Sequence, residues 1–309
     1  MKYVICLVLA ISCQLLMAQK GSYSSRDISV SPFVDGTLLL PDGVENPPLA
    51  VIIAGSGPTD RNGNQQMMNT NSLKYLAQGL SEKGIATFRY DKRILKQMKE
   101  RTLNEESISF DEFIKDAIDV VEYFKRANAF SEIHIIGHSQ GSLVGMIAAQ
   151  GRADGFVSLA GAGQSIDNLI VDQLAKQAPG LKDNARQAFD DMRSIGVAVN
   201  YSPGLSSIFR RQIQPFMITW MAYDPQVELA KLDIPVLIIN GERDLQVQVS
   251  EAEKLKAALP SAQYLIVPKM NHILKEIEGD DVENSKSYNL PRLPVVPELI
   301  DTVGTFILK

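Results

Sequence analysis

Cysteine is nearly absent: the chain of 309 residues has two, Cys6 and Cys13, both close to the N-terminus. If that segment is removed, no disulfide, catalytic thiolate or cysteine-ligated zinc can form. Histidine is almost as scarce, with three residues, so a reaction that needs an imidazole has few candidates. An excess of positive charge is missing too. The formal net charge is -5 and the pI is near 5.4, which excludes a phosphate backbone as principal partner, so no nucleic acid is expected. The longest basic stretch, Lys92 to Arg101, is interrupted by Ile94, Leu95, Met98 and Glu100. It reads as a solvated loop or helix face, with steering of anionic substrates as the alternative. No apolar run approaches the ~20 residues of a transmembrane helix, so no stable membrane span is expected.

What the N-terminus does contain is Met1-Lys2, an apolar run from Val4 to Ile11, and Leu15-Leu16-Met17-Ala18 before Gln19. A positive start, a short apolar core and a small residue before polar sequence predict a secretory signal over 1–18, cleaved after about Ala18, and hence a protein exported to the periplasm or beyond. A buried first strand is the competing reading. Cys13 also imitates a lipoprotein cleavage site; that anchor is the minor alternative, because the apolar residues continue past it.

Hydrophobic residues make up 45% and charged residues 22% of the chain, the usage of a folded globular enzyme. Two short β-prone runs, Asp27 to Ser31 and Thr37 to Leu40, flank Pro32 and Asp35-Gly36 and predict an antiparallel pair. From Leu49 onward, continuous apolar runs of strand length alternate with amphipathic segments. The strands expected are Ala50 to Ala54, Ala86 to Tyr90, Glu132 to Gly137, Gly155 to Ala160, Pro235 to Asn240 and Tyr264 to Val267. Ser72 to Lys83 and Phe110 to Arg126 carry one apolar face each, and Ser109 with Glu112 fits a capping box. This texture predicts an α/β fold, a mostly parallel eight-stranded sheet flanked by helices. The alternation breaks over 164–225, where Ile166 to Ala178, Leu181 to Ile195 and Leu205 to Tyr223 read as amphipathic helices. That stretch is expected to be a helical lid inserted between the core segments 19–163 and 226–309.

Gly137-His138-Ser139-Gln140-Gly141 follows the apolar strand ending at Ile136 and opens the helical run Ser142 to Gln150. Small residues let the chain turn sharply from strand to helix and hold a serine hydroxyl clear at the strand tip, the arrangement of a nucleophile elbow. A glycine-rich turn without catalysis is the plain alternative. A serine hydroxyl needs an adjacent base to attack at neutral pH. His134 sits within a strand and His138 within the elbow, where its side chain is expected to turn away from the nucleophile. Elimination leaves His272, in the loop after the last strand. The acid should lie between Ser139 and His272 at a strand tip, where Glu242 and Asp244 both follow the strand ending at Asn240. Either could instead be a turn residue or helix cap. Acyl transfer also needs backbone N–H donors for the oxyanion; Gln140 supplies one, and the loop Ala54-Gly55-Ser56-Gly57-Pro58 the other, through Ser56. That loop lacks the spacing and the Lys-Ser/Thr of a phosphate-binding turn.

With these residues in view, the chain resembles the α/β-hydrolase superfamily and, within it, exported bacterial carboxylesterases grouped with serine aminopeptidase-like hydrolases. The resemblance rests on Gly55 to Arg61, Arg89-Tyr90-Asp91-Lys92-Arg93, the elbow around Ser139, Gln214-Pro215-Phe216, Tyr223-Asp224-Pro225, Gly241 to Val247 and Met270 to Lys275. It implies hydrolysis of a small-molecule carboxylic ester by Ser139, Asp244 and His272, with Ser56 and Gln140 as oxyanion donors and no metal or organic cofactor. It also selects Asp244 over Glu242 as the acid. One departure is Ile94, where such sequences usually have Gly after Asp-Lys-Arg; the loop that follows is expected to border the site. Asp60, Arg61, Asp91 and Arg93 are expected either to brace the oxyanion loop as ion pairs or to be solvated. Phe189, Phe209, Phe216, Met217, Trp220 and Met221 either line an acyl pocket or pack the lid. An aminopeptidase using the same triad would need a carboxylate for the substrate amine, with Asp190, Asp191 and Asp224 as candidates. A silent binding protein would keep the fold alone.

Overall fold

The computed structural model describes residues 22–309, so the leader expected over 1–18, with Cys6, Cys13 and the cleavage after Ala18, lies outside the described residues. In chain order the strands are β1 (Tyr23–Ser31), β2 (Val34–Pro41), β3 (Leu49–Ile53), β4 (Ala86–Tyr90), β5 (Ile133–His138), β6 (Gly155–Leu159), β7 (Val236–Gly241) and β8 (Gln263–Val267). They form one sheet in the order β1-β2-β4-β3-β5-β6-β7-β8. β1 and β2 pair antiparallel, as does β2 with β4, and every later pair is parallel.

The helices are α1 (Ser72–Ser81), α2 (Arg93–Glu100), α3 (Phe110–Ala127), α4 (Gln140–Ala149), α5 (Ile166–Gln177), α6 (Lys182–Ile195), α7 (Ser206–Phe209), α8 (Gln214–Met221), α9 (Pro225–Leu229), α10 (Val249–Ala258), α11 (Asp281–Ser287) and α12 (Pro297–Ile307). The central strands β3 to β7 are buried on both faces, which explains their apolar runs, while the edge strand β1 is mostly exposed. Along β3, Leu49, Val51 and Ile53 join a core with α3, α4 and α10, while Ala50 and Ile52 join the opposite core with α1 and α12. α3 begins with the expected capping box between Ser109 and Glu112.

Between β6 and β7 the chain builds a third apolar cluster around Phe189, Phe209 and Met192, separate from both faces of the sheet. The single helix expected over Leu205 to Tyr223 is instead split into α7 and α8. The helix is interrupted at Arg210, whose backbone is extended (φ −55°, ψ 141°), and resumes at Gln214 with Pro215 in its first turn, where the missing N–H costs no helical bond. Gln214 fills the break: its side chain bonds Phe209 O, Ala198 O and Ala198 N from a buried position. Among the described residues no helix is long and apolar enough to cross a membrane.

Candidate active site

Parallel strands of this sheet release their loops at one edge. The strand order reverses around β3 and β5, opening a crevice at their C-terminal ends where open α/β sheets bind ligands. Ser56 follows β3, Lys92 follows β4, Ser139 follows β5, Asp244 follows β7 and His272 follows β8.

Ser139 joins β5 to α4 with φ 54° and ψ −121°, a conformation costly for any residue with a Cβ and held only by its surroundings. Close packing around it demands glycine on both sides. A Cβ on Gly137 would sit 2.3 Å from Gly141 O, and one on Gly141 would sit 2.4 Å from Ile53 O. The Ser139 N–H donates to Leu159 O at 2.9 Å, which ties the turn to β6.

His272 Nδ1 lies 2.8 Å from Asp244 Oδ2, and the Asp244 side chain is fully buried. With the Nδ1 proton given to that carboxylate, Nε2 keeps a lone pair. The other oxygen of Asp244 accepts the N–H groups of Gln246 and Val247, each at 2.8 Å, so the carboxylate is fixed from both ends. Glu242 is exposed, and α10 is capped at Gln248 rather than by either acid. The loop carrying His272 is held by buried Asn271, which donates to Asn284 and Ser287 at 2.9 Å and accepts the Lys275 N–H at 2.9 Å.

The other two histidines differ from each other. His134 is buried in β5 and meets Glu132 at 2.9 Å. His138 turns toward His272: its Nε2 is 2.8 Å from His272 O, with ring centroids 5.0 Å apart. Burial, and then the neighbouring imidazole, push its pKa down to about 4, so the neutral ring donates to that carbonyl. Sequence reasoning assigned His138 no partner, and a residue 134 positions away in the chain leaves no local signal.

Three cavities converge on this point. One of about 350 Å³ is lined by Ser139, His272, His138, Gln65, Gln246 and Tyr288. A second, of about 260 Å³, includes Ser56, Ser139, Gln140, Ile166, Leu169 and Trp220. A third, of about 390 Å³, is mainly apolar and includes Ser56, Gln140, Ile108, Phe113, Phe216 and Trp220. Trp220 borders both the second and the third. Of the aromatics and methionines of the 164–225 segment considered from sequence, Phe216, Met217 and Trp220 therefore reach a cavity, whereas Phe189 and Phe209 are packed in that segment's own core, their rings 4.6 Å apart.

The basic stretch from Lys92 departs from expectation. Lys92 and Arg93 are buried, not solvated. Lys92 Nζ donates to Gly55 O at 3.0 Å and to Gln140 Oε1 at 2.6 Å and stands 4.3 Å over the Phe113 ring. Burial pulls its pKa down to about 7. Arg93 pairs with Asp116 at 2.7 and 2.8 Å and also with Glu112. A buried cation satisfied by distant partners leaves the same residue letters as a solvated one. Ile94, Met98 and Leu103 line the third cavity. Arg61 pairs with Asp91 through backbone and side chain, at 2.7 and 2.6 Å, while Asp60 accepts the Asn62 and Asn64 N–H groups at 2.8 Å.

A profile of the family described as serine aminopeptidase, S33, matches residues 68–278, a span that holds Ser139, Asp244 and His272. The chain belongs to this family. It is 28% identical over 307 residues to the esterase EstD of Thermotoga maritima, covering 93% of this chain and 68% of that protein. Among solved structures it is similar to Est1E of Butyrivibrio proteoclasticus, with a TM-score of 0.59 at 17% identity over 92% of this chain and 99% of that one. A puromycin-hydrolyzing peptidase of Mycobacterium tuberculosis gives a TM-score of 0.54 at 16% identity, over 92% of this chain and 39% of that one. These two likenesses establish the shared α/β-hydrolase fold.

Proposed function

We propose that the protein is an exported serine esterase that cleaves small-molecule carboxylic esters of short to medium acyl chains through an acyl-enzyme. The observation that carries the reading is the buried Asp244–His272 pair, 2.8 Å apart, opening on the same cavity as the strained Ser139. In this mechanism His272 Nε2 takes the Ser139 proton as Oγ bonds to the ester carbonyl carbon. Asp244 holds the imidazole in its tautomer, and the N–H groups of Ser56 and Gln140 receive the oxyanion. Collapse breaks the bond to the alcohol, which leaves with the proton from His272. Water then attacks the acyl-enzyme, giving its proton to His272, and release of the acid returns that proton to Ser139. Similarity to a Thermotoga maritima protein named an esterase supports the reaction class. Export rests on the residue pattern of Met1 to Ala18 alone.

The family description and the mycobacterial neighbour favour a second reading, cleavage of peptides or amides from a free amino end. A substrate ammonium held away from water needs an unpaired carboxylate. Among the acidic residues considered for this, Asp190 pairs with Arg186 and Arg193, Asp191 accepts from Gln187, and Asp224 caps α9. Apart from the triad, the acid that lines these cavities is Glu105, already paired with Arg210. Esters therefore take precedence. Hydrolysis of p-nitrophenyl esters from acetate to laurate, beside aminoacyl anilides, tests the choice: ester turnover absent from Ser139→Ala is expected, and anilide turnover without ester turnover would overturn it.

A further inference from the structure

The Gly55–Ser56 peptide unit and the Gln140 residue meet at one side chain that the triad leaves unused. Lys92 enters from the tip of β4, with its ammonium buried between the oxyanion loop and the start of α4. One of its bonds ends on Gly55 O, at 3.0 Å, and the other on Gln140 Oε1, at 2.6 Å. The carbonyl of Gly55 and the N–H of Ser56 belong to the same planar amide. A cation donating to that carbonyl draws electron density from the amide and sharpens its N–H as a donor. The second bond fixes the residue whose backbone supplies the other N–H.

We propose that Lys92 is a positioning residue of the oxyanion hole, orienting and polarising both N–H donors through Gly55 O and the Gln140 side chain. The inference rests on the reading of Ser139 as nucleophile and Ser56 and Gln140 as donors. Several contacts keep the ammonium in place. Phe113 lies beneath it at 4.3 Å, and the Lys92 N–H approaches Thr59 O at 3.4 Å. Thr59 in turn donates to Ser56 O at 2.8 Å, as does Gln65 at 2.9 Å. The oxyanion loop is thus held through the carbonyls on both sides of Ser56, one by neutral donors and one by a cation. A buried cation bonded to the units that carry both N–H donors contributes more as negative charge develops in the transition state than in the ground state.

The test compares wild type, Lys92→Met, Gln140→Leu and Ser139→Ala on one p-nitrophenyl ester and on a trifluoromethyl ketone, whose serine adduct carries an oxyanion. Lys92→Met keeps the length of the side chain and removes both bonds. It is expected to lower kcat about 10- to 100-fold, with KM changed less than about threefold, and to weaken the ketone by a similar factor. Gln140→Leu keeps its backbone N–H, breaks one of the two bonds, and is expected to lower kcat by a smaller factor; it carries the test if the Lys92 variant does not fold. Unchanged kcat and ketone affinity in a folded Lys92→Met protein, or in Gln140→Leu where that one fails to fold, would overturn the proposal. A Ser139→Ala variant with full activity would instead overturn the underlying reading.

Discussion

The imidazole of His138, the residue before the elbow serine, holds the backbone carbonyl of His272 at 2.8 Å. The strand that leads to Ser139, the proposed nucleophile, therefore also fixes the loop that carries His272, the proposed base. Replacing His138 with Ala removes this bond and leaves a cavity under the loop. The expected result is a fall in kcat/KM of about tenfold or more, since small displacements of catalytic groups are costly, together with a lower Tm. Steady-state kinetics and a thermal melt on the same sample check both.

Asp244→Asn separates the two tasks of that carboxylate. The amide oxygen can still accept the Gln246 and Val247 N–H groups, so the fold should persist. Its NH2 can no longer accept from His272 Nδ1, so the imidazole is held in the wrong tautomer, a change that in a serine protease lowers kcat about 10⁴-fold. A loss of at least about 10³-fold with an unchanged melting temperature is expected here.

Trp220 borders both the second and the third cavity and stacks on Phe110, with centroids 5.5 Å apart and planes 3° from parallel. Trp220→Ala should join the two spaces. The optimum acyl length in a p-nitrophenyl ester series is expected to lengthen, while the rate on acetate falls less than the rate on laurate rises. Each added methylene newly buried contributes about 0.8 kcal/mol, roughly fourfold in kcat/KM.

The pH profile should carry Lys92. Burial lowers its pKa from 10.5 to about 7, so the ammonium is lost as pH rises through that value, and kcat should decline there. The charged and titratable groups around it are Asp116 on α3, already paired with Arg93, Tyr90 on β4, whose pKa burial raises, and Glu105 with Arg210 at the third cavity. None of these supplies a second basic group titrating near 7. In Lys92→Met the alkaline decline in kcat near that value is expected to disappear.

Arg93 and Asp116 form a buried pair, with side chains 6% and 4% exposed. Removing one partner leaves the other unpaired, which costs about 3–5 kcal/mol. Arg93→Met alone should therefore lower stability by that amount in a urea titration, and adding Asp116→Leu should recover most of it.

Much of this was legible in the residues because burial leaves a periodic trace. The central strands β3 to β7 announce themselves as largely apolar runs, since the middle of a sheet covered on both faces tolerates little polarity, whereas β1, mostly exposed, was legible only as a β-prone run ending at a turn. The Ser139 elbow was legible because its turn permits only small flanking residues. Lys92 was not. Its role depends on Gly55 and Gln140, which lie 37 and 48 positions away, and no local pattern distinguishes a buried, satisfied cation from a solvated one. Helix continuity across 205–223 was misjudged for a related reason: apolar periodicity persists through Arg210, while the backbone there turns extended and the freed carbonyl of Phe209 is taken up by the side chain of Gln214.

The proposed activity requires Ser139 to be a nucleophile activated by His272. The most direct measurement is covalent labelling with a fluorophosphonate, followed by peptide mass mapping, in wild type, Ser139→Ala and His272→Ala. A single adduct on Ser139 is expected, with none in Ser139→Ala and labelling slowed by at least about 10³-fold in His272→Ala. An adduct on another residue, or undiminished labelling without His272, would contradict it.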